Sequence, residues 1–213
     1  MRVGVLGTGV VGQAIGRGFI ALGHEVKLGG REATNEKAKA WAEKAGSKAT
    51  EGTFRDAAVF GELIVLATLG EANENALKAA GLENFHGKVL IDATNPLDFS
   101  TGTPRLSIGH TDSAGERVQR LVPDAKVVKA FNTVGNTLMF RPDLPGGPPD
   151  MFIAGNDDGA KGTVAGLLKE FGYGTADLGG IESARYLEAM CMVWVACGIK
   201  SGGWNHAFKL LRK

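Results

Sequence analysis

Cysteine is nearly missing from this chain of 213 residues: only Cys191 and Cys197 occur, six positions apart. That spacing excludes a CxxC redox pair and a thiolate metal cluster, and it leaves two reduced core thiols of a cytoplasmic protein as the expectation. The four histidines, His24, His86, His110 and His206, are scattered, so spacing predicts no metal site. Apolar runs are short; the C-terminal one, Met190–Cys197, falls far below the ~20 residues that cross a bilayer. Residues 2–6 read directly as a strand with no basic leader before it, so no secretory signal is expected. Neither sign of charge prevails: 24 basic against 23 acidic residues leave a net charge of +1. Partners among nucleic acids and membrane surfaces are therefore not expected. Tyrosine is limited to Tyr173 and Tyr186. Tyr186 is followed by Leu-Glu-Ala and then Met190, which excludes the Tyr-x-x-x-Lys pair of a carbonyl reductase.

Glycine is plentiful. Thirty-two residues are about twice the usual ~7% share, as tight turns or close backbone approaches to a ligand require. Apolar strands alternate with helical stretches along the chain. Strands are predicted at Arg2–Leu6, Glu25–Leu28, Ala49–Thr50, Leu63–Thr68, Val89–Asp92 and Lys126–Ala130. Helices are predicted at Val10–Leu22, Ala33–Ala45, Thr53–Phe60, Glu74–Ala80 and Ser113–Leu121. Continuous apolar strands with intervening helices define an α/β fold, a doubly wound and mostly parallel sheet covered on both faces. The Pro- and Gly-rich stretch at 140–150 is the expected boundary between a nucleotide-binding domain (1–140) and a small C-terminal part (150–213). That part reads as strand Met151–Ala154, helix Asp157–Glu170, strand Thr175–Leu178, a long apolar helix Glu182–Gly198 and a short terminal helix Trp204–Leu211.

The first strand runs into Gly7-Thr8-Gly9-Val10-Val11-Gly12 and then a helix. The three glycines act differently: Gly7 makes the tight turn, Gly9 lets the backbone approach a pyrophosphate, and Gly12 packs helix on strand. The free amides and positive end of the helix face the anion. NAD sites place a carboxylate at the end of the second strand, but here that strand ends Lys27-Leu28-Gly29-Gly30-Arg31. A guanidinium in that position pairs with a 2′-phosphate, so NADP(H) is the expected dinucleotide. Thr8, Thr34 and Asn35 are candidate hydrogen-bonding partners.

Ligands of open parallel sheets lie outside the carboxyl ends of the strands. One such end, Ala67-Thr68-Leu69-Gly70, is lined by small or polar residues that let the cofactor pass. At Asp92-Ala93-Thr94-Asn95-Pro96, Asn95 and Pro96 are candidates for the nicotinamide side. At Phe131-Asn132-Thr133, Asn132 and Thr133 are the candidate acceptor pocket. No residue stands out as catalytic. Arg185 and Glu188 are expected to form an ion pair on one helical face. Met190, Met192, Trp194 and Trp204 are expected in the core or a subunit interface, and Lys200 and His110 at the surface.

The segments GTGVVG (7–12), GGR (29–31), LIDATNPL (90–97), KVVKAFNT (126–133), GIESARYLEAM (180–190) and AFKLL (207–211) together resemble the NADP oxidoreductases that depend on the deazaflavin coenzyme F-420. The sequence is also similar to the reductase domain of the STEAP metalloreductases, whose haem-binding membrane domain has no counterpart in these residues. The resemblance implies a Rossmann-like domain with a small C-terminal part closing a cleft, and hydride transfer between NADP(H) and a deazaflavin or flavin-like acceptor (F-420, FMN or FAD) by ring proximity. It places Thr8 and Arg31 at the 2′-phosphate. Gly30 stands where the archaeal deazaflavin enzymes tend to have Ser, and Asn132 where some members have His. It also implies a homodimer, with the apolar final helix buried against a second copy. Two other readings of the residues stand beside this one: an NADP-binding redox sensor without turnover, and a small imine or hydroxyacid dehydrogenase.

Overall fold

Leu63-Ile64-Val65-Leu66 is apolar at every position because helices cover it on both faces. A computed structural model describes residues 1–213. The order is β1 (Arg2–Leu6), α1 (Val10–Ala21), β2 (Glu25–Gly30), α2 (Glu36–Ala45), β3 (Ala49–Thr53), α3 (Phe54–Phe60), β4 (Leu63–Leu66), α4 (Asn73–Ala80) and β5 (Val89–Asp92). A small hairpin, β6 (Leu97–Asp98) and β7 (Arg105–Leu106), precedes α5 (Ala114–Leu121) and β8 (Lys126–Lys129). The chain closes with β9 (Asp150–Gly155), α6 (Asp158–Glu170), β10 (Gly174–Asp177) and α7 (Ala184–Ser201).

Eight strands form one sheet in the order β10-β9-β8-β5-β4-β1-β2-β3. Every neighbouring pair is parallel except β8–β9, so the C-terminal β–α–β unit extends the same sheet in the opposite direction. This is the Rossmann-like architecture, and its switch point falls between β1 and β4. One face buries Val3, Phe19, Trp41 and Phe171 under α1, α2 and α6. The other buries Leu6, Leu66, Leu77 and Phe85 under α3, α4 and α5.

Local chemistry sets several boundaries. Asn35 caps α2, its Oδ1 accepting from Ala38 N at 3.1 Å, so that helix starts at Glu36 rather than at Ala33. Thr53 and Asp56 form a reciprocal capping box that starts α3. The terminal helix expected at Trp204–Leu211 is not formed. Its residues bond to other segments instead: Trp194 Nε1 donates to His206 O at 2.9 Å, Asp150 N to Phe208 O at 2.9 Å, and Leu210 N to Asp150 Oδ2 at 2.8 Å. These contacts use the backbone groups a helix would need.

Two further expectations are corrected. Cys191 is a buried thiol, pushed up to about 12 by burial, but Cys197 is exposed on the outer side of α7. Arg185 pairs with Glu116 rather than Glu188. The segment after β5 carries the β6–β7 hairpin, which the sequence pattern did not predict. His110 and Lys200 are exposed, as expected. No helix is long and apolar enough to cross a membrane.

Candidate cofactor cleft

The turn after β1 is locked by the chain itself. Gly7 N donates to Gly29 O at 3.0 Å, and Gln13 Nε2 donates to Thr8 O at 3.0 Å. Gly7 has φ +131°, and a Cβ there would strike the carbonyl oxygen of Ala67 at the end of β4. A Cβ on Gly12 would strike the carbonyl oxygen of Gly7. A Cβ on Gly9, by contrast, would meet nothing within 4 Å. Gly7 and Gly12 are thus small for the sake of the protein's own packing, whereas Gly9 leaves open space on the cleft side. The N-terminus of α1 has no side-chain cap and no acidic residue in its first turn, leaving its amides and positive dipole end for an anion.

A cleft of about 1340 Å³ opens over the carboxyl ends of the central strands. Among the sequence-derived candidates, Gly7, Thr8, Gly9, Val10, Val11, Gly30, Arg31, Ala67, Thr68, Leu69 and Asn95 line it. Arg31 is exposed at the β2 end, beside Asn35. Gly12, Thr34, Pro96, Asn132 and Thr133 do not line the cleft. Gly12 is in the packing just described. Asn132 is buried behind Asn95, donating from Nδ2 to Asn95 Oδ1 at 3.0 Å and to Leu187 O at 2.9 Å. Asn95 Nδ2 returns a bond to Asn132 O at 2.8 Å. Phe131, at φ +62°, turns the chain into this arrangement at the end of β8. Asn132 therefore holds Asn95 in place and ties it to α7.

The sequence reading missed two parts of the cleft. One is its outer wall, Leu97 to Ser100 of the hairpin together with Asn75, Ala76 and Ala79 on α4. The other is a buried polar chain beneath the strand ends. Thr68 Oγ1 donates to Asn73 Oδ1 at 2.7 Å, Asn73 Nδ2 to Thr94 Oγ1 at 2.8 Å, and Thr94 Oγ1 to Asp92 Oδ1 at 2.7 Å. Lys129 Nζ then donates to Asp92 Oδ2 at 2.9 Å and to Glu188 Oε1 at 2.8 Å, with all three residues buried. Glu188 also accepts from Ala114 N and Gly115 N, both at 3.0 Å, at the start of α5. Burial works against the Lys129 ammonium, but Asp92 and Glu188 outweigh it and hold its pKa above the ordinary lysine value. The available signal was a charged residue closing each of two apolar strands, VLID and KVVK.

A second ionic group surrounds the start of α5. Glu116 is held low by its bonds with Arg185, against the opposing effect of burial, and further by Ser113. Burial raises Asp112, but bonds from Arg117, Arg120 and the Ser113 amide bring it down to about 2. Carboxylates held low in the folded state contribute stability that is complete above their usual range and lost as pH falls through the depressed values. The melting temperature is accordingly expected to drop between about pH 4.5 and pH 2. Thermal melts across that range check this, and Glu116→Gln should show a shallower drop; an identical slope would contradict the assignment.

The switch-point cleft and the bare helix N-terminus define a nucleotide-binding protein of the Rossmann-like class. A family model described as NADP oxidoreductase, coenzyme F420-dependent, matches residues 2–96. The F420-dependent NADP reductase of Methanothermobacter marburgensis is 30% identical over 215 residues, covering 94% of each chain. A crystal structure from Arthrobacter sp. FB24, provisionally assigned as an F420-dependent NADP-reductase, superposes with a TM-score of 0.93 at 41% identity over 99% of both chains. The chain belongs to this family of F420-dependent NADP oxidoreductases. Rat metalloreductase STEAP3 is 29% identical over 89% of this chain, which spans only 36% of that longer protein.

Proposed function

We propose that this protein transfers a hydride between NADP(H) and a flat deazaflavin or flavin-like acceptor, both held in the one cleft. The observation that carries the reading is the size and course of that cleft. Its 1340 Å³ exceeds the roughly 300–1,000 Å³ of a pocket for one ligand, and it runs from Arg31 past the glycine turn to the hairpin. That is space for a dinucleotide and a second ring.

In this reading the amides of Val10, Val11 and Gly12 bind the pyrophosphate. Arg31 takes the 2′-phosphate, with Thr8, Thr34 and Asn35 beside it, and Gly30 keeps the strand end clear. Ala67, Thr68, Leu69, Asn95 and Pro96 form the nicotinamide end. Bound NADPH supplies the hydride. The chain's own residues orient and exclude water rather than exchange a proton. Asn95 is fixed for that role by Asn132, and Thr68 by Asn73. Asn132 and Thr133 bound the acceptor side from behind Asn95.

The test mixes the protein with NADPH alone and then with a deazaflavin or FMN, following the nicotinamide absorbance. Oxidation is expected only with the acceptor present. Tight NADPH binding by calorimetry with no turnover of any ring acceptor would replace this reading with a binding protein that senses NADP.

A further inference from the structure

We propose that Phe99, at the tip of the β6–β7 hairpin, selects the acceptor by stacking its ring on the face of a flat aromatic substrate; this rests on the hydride-transfer reading given above. Large apolar side chains of this protein are mostly buried, yet Val10, Leu69 and Phe99 are each 60% or more exposed and all line the same cleft. Phe99 is the only one of the ten phenylalanines among the strongly exposed residues. An exposed aromatic at the mouth of a cleft is a ready contact surface for a planar ligand, because ring faces attract in offset or edge geometry beyond their area burial.

The hairpin holds that ring on a rigid support. Asp98, next in the chain, accepts from Ser100 N and from Arg105 Nε, both at 2.8 Å. Ser107 N and Oγ both donate to Pro96 O, at 2.8 and 3.1 Å, closing the base of the hairpin. Gly102, at φ +79°, donates its amide to Phe99 O at 3.1 Å and closes the tip. Ser100 and Arg105 keep the Asp98 carboxyl down at about 2, so the brace persists through the neutral range. A side chain on a braced turn loses little freedom when a ligand arrives.

Position decides which ligand it meets. The hairpin leaves the sheet directly after β5, on the other side of the switch point from Arg31. Phe99 therefore faces the second ring rather than the adenine end. Arg31 is the only basic residue among the cleft lining, while Glu71 and Asp98 lie toward the hairpin. That end offers an acceptor apolar faces and an aromatic, and its nearby guanidinium, Arg105, is already committed to Asp98. Recognition accordingly goes to the ring, and riboflavin and FMN should be used about equally well.

The test measures acceptor KM and NADPH Kd in Phe99→Ala, Phe99→Leu and Phe99→Tyr. Phe99→Ala is expected to raise the KM for the ring acceptor by about tenfold, as loss of one stacking contact does. Tyr should restore it, Leu should not, and NADPH Kd should stay unchanged, which also reports a folded protein. An unchanged KM, or a parallel loss of NADPH binding, would overturn the assignment. A preference for FMN over riboflavin greater than about tenfold would likewise overturn ring-only recognition. If the wild type reduces no ring acceptor, the hydride-transfer reading fails by itself. Phe99 is then judged by direct binding: riboflavin must quench the added indole of Phe99→Trp, and no quenching ends the proposal.

Discussion

Replacing Lys129 by Ala should destabilise the fold by about 3–5 kcal/mol, the cost of leaving buried charge without its partner. Two carboxylates, Asp92 and Glu188, converge on this one ammonium, and none of the three is reached by solvent beyond 1%. Without it, only Thr94 N and Oγ1 remain to satisfy Asp92, and only the Ala114 and Gly115 amides to satisfy Glu188. Urea or guanidinium unfolding checks the loss; a cost below about 1 kcal/mol would show that the triad does not act as one buried unit. Adding Glu188→Gln to Lys129→Ala should recover part of the loss, because it removes one of the two stranded charges. The folded-state pKa of Lys129 lies above its ordinary value, so its contribution is complete below about pH 10.5 and fades only as pH rises through the raised value. The stability that Lys129 lends the wild type should therefore stay constant between pH 6 and 9.

Arg31→Ala should weaken NADPH by about 1.5–3 kcal/mol, the range for hydrogen bonds to charged groups, and leave NADH almost unchanged. Arg31 is exposed and lines the cleft beside Asn35 at the end of β2. Isothermal titration with both cofactors gives the difference directly. Equal losses for NADPH and NADH would place Arg31 outside phosphate recognition. Gly30→Ser should give little improvement, because a Cβ at that position already comes within 3.2 Å of Asn35, whose side chain is committed to capping α2.

The glycine turn was legible in the sequence because its geometry is local. Gly7, Gly9 and Gly12 are contiguous with the strand that precedes them and the helix that follows, so their spacing alone defines the geometry. Gly30-Arg31 was legible for the same reason. Asn95 was recognisable as a polar residue at a strand end, but its partner was not: Asn132 lies 37 positions away and meets it only because β5 and β8 are adjacent. Arg185 was paired with Glu188 on helical spacing. In the fold, Glu188 turns inward to Lys129, and Arg185 reaches across to Glu116, 69 positions earlier. The Trp204–Leu211 segment misled for a related reason. Its composition favours a helix, but strand β9 and Trp194 offer its backbone partners that sequence neighbours cannot.

By itself the sequence determined the α/β class, the alternation of strands and helices, the glycine turn and the arginine that follows the second strand. Each of these depends on residues within a few positions of one another, where periodicity and stereochemistry act directly. Tertiary structure alone decided that the last β–α–β unit joins the same sheet antiparallel, that Lys129 neutralises carboxylates from two distant elements, and that Phe99 overlooks the cleft. Those outcomes depend on which strand ends and helix faces become neighbours, and burial makes such long-range pairings worth more than any preference the local chain expresses.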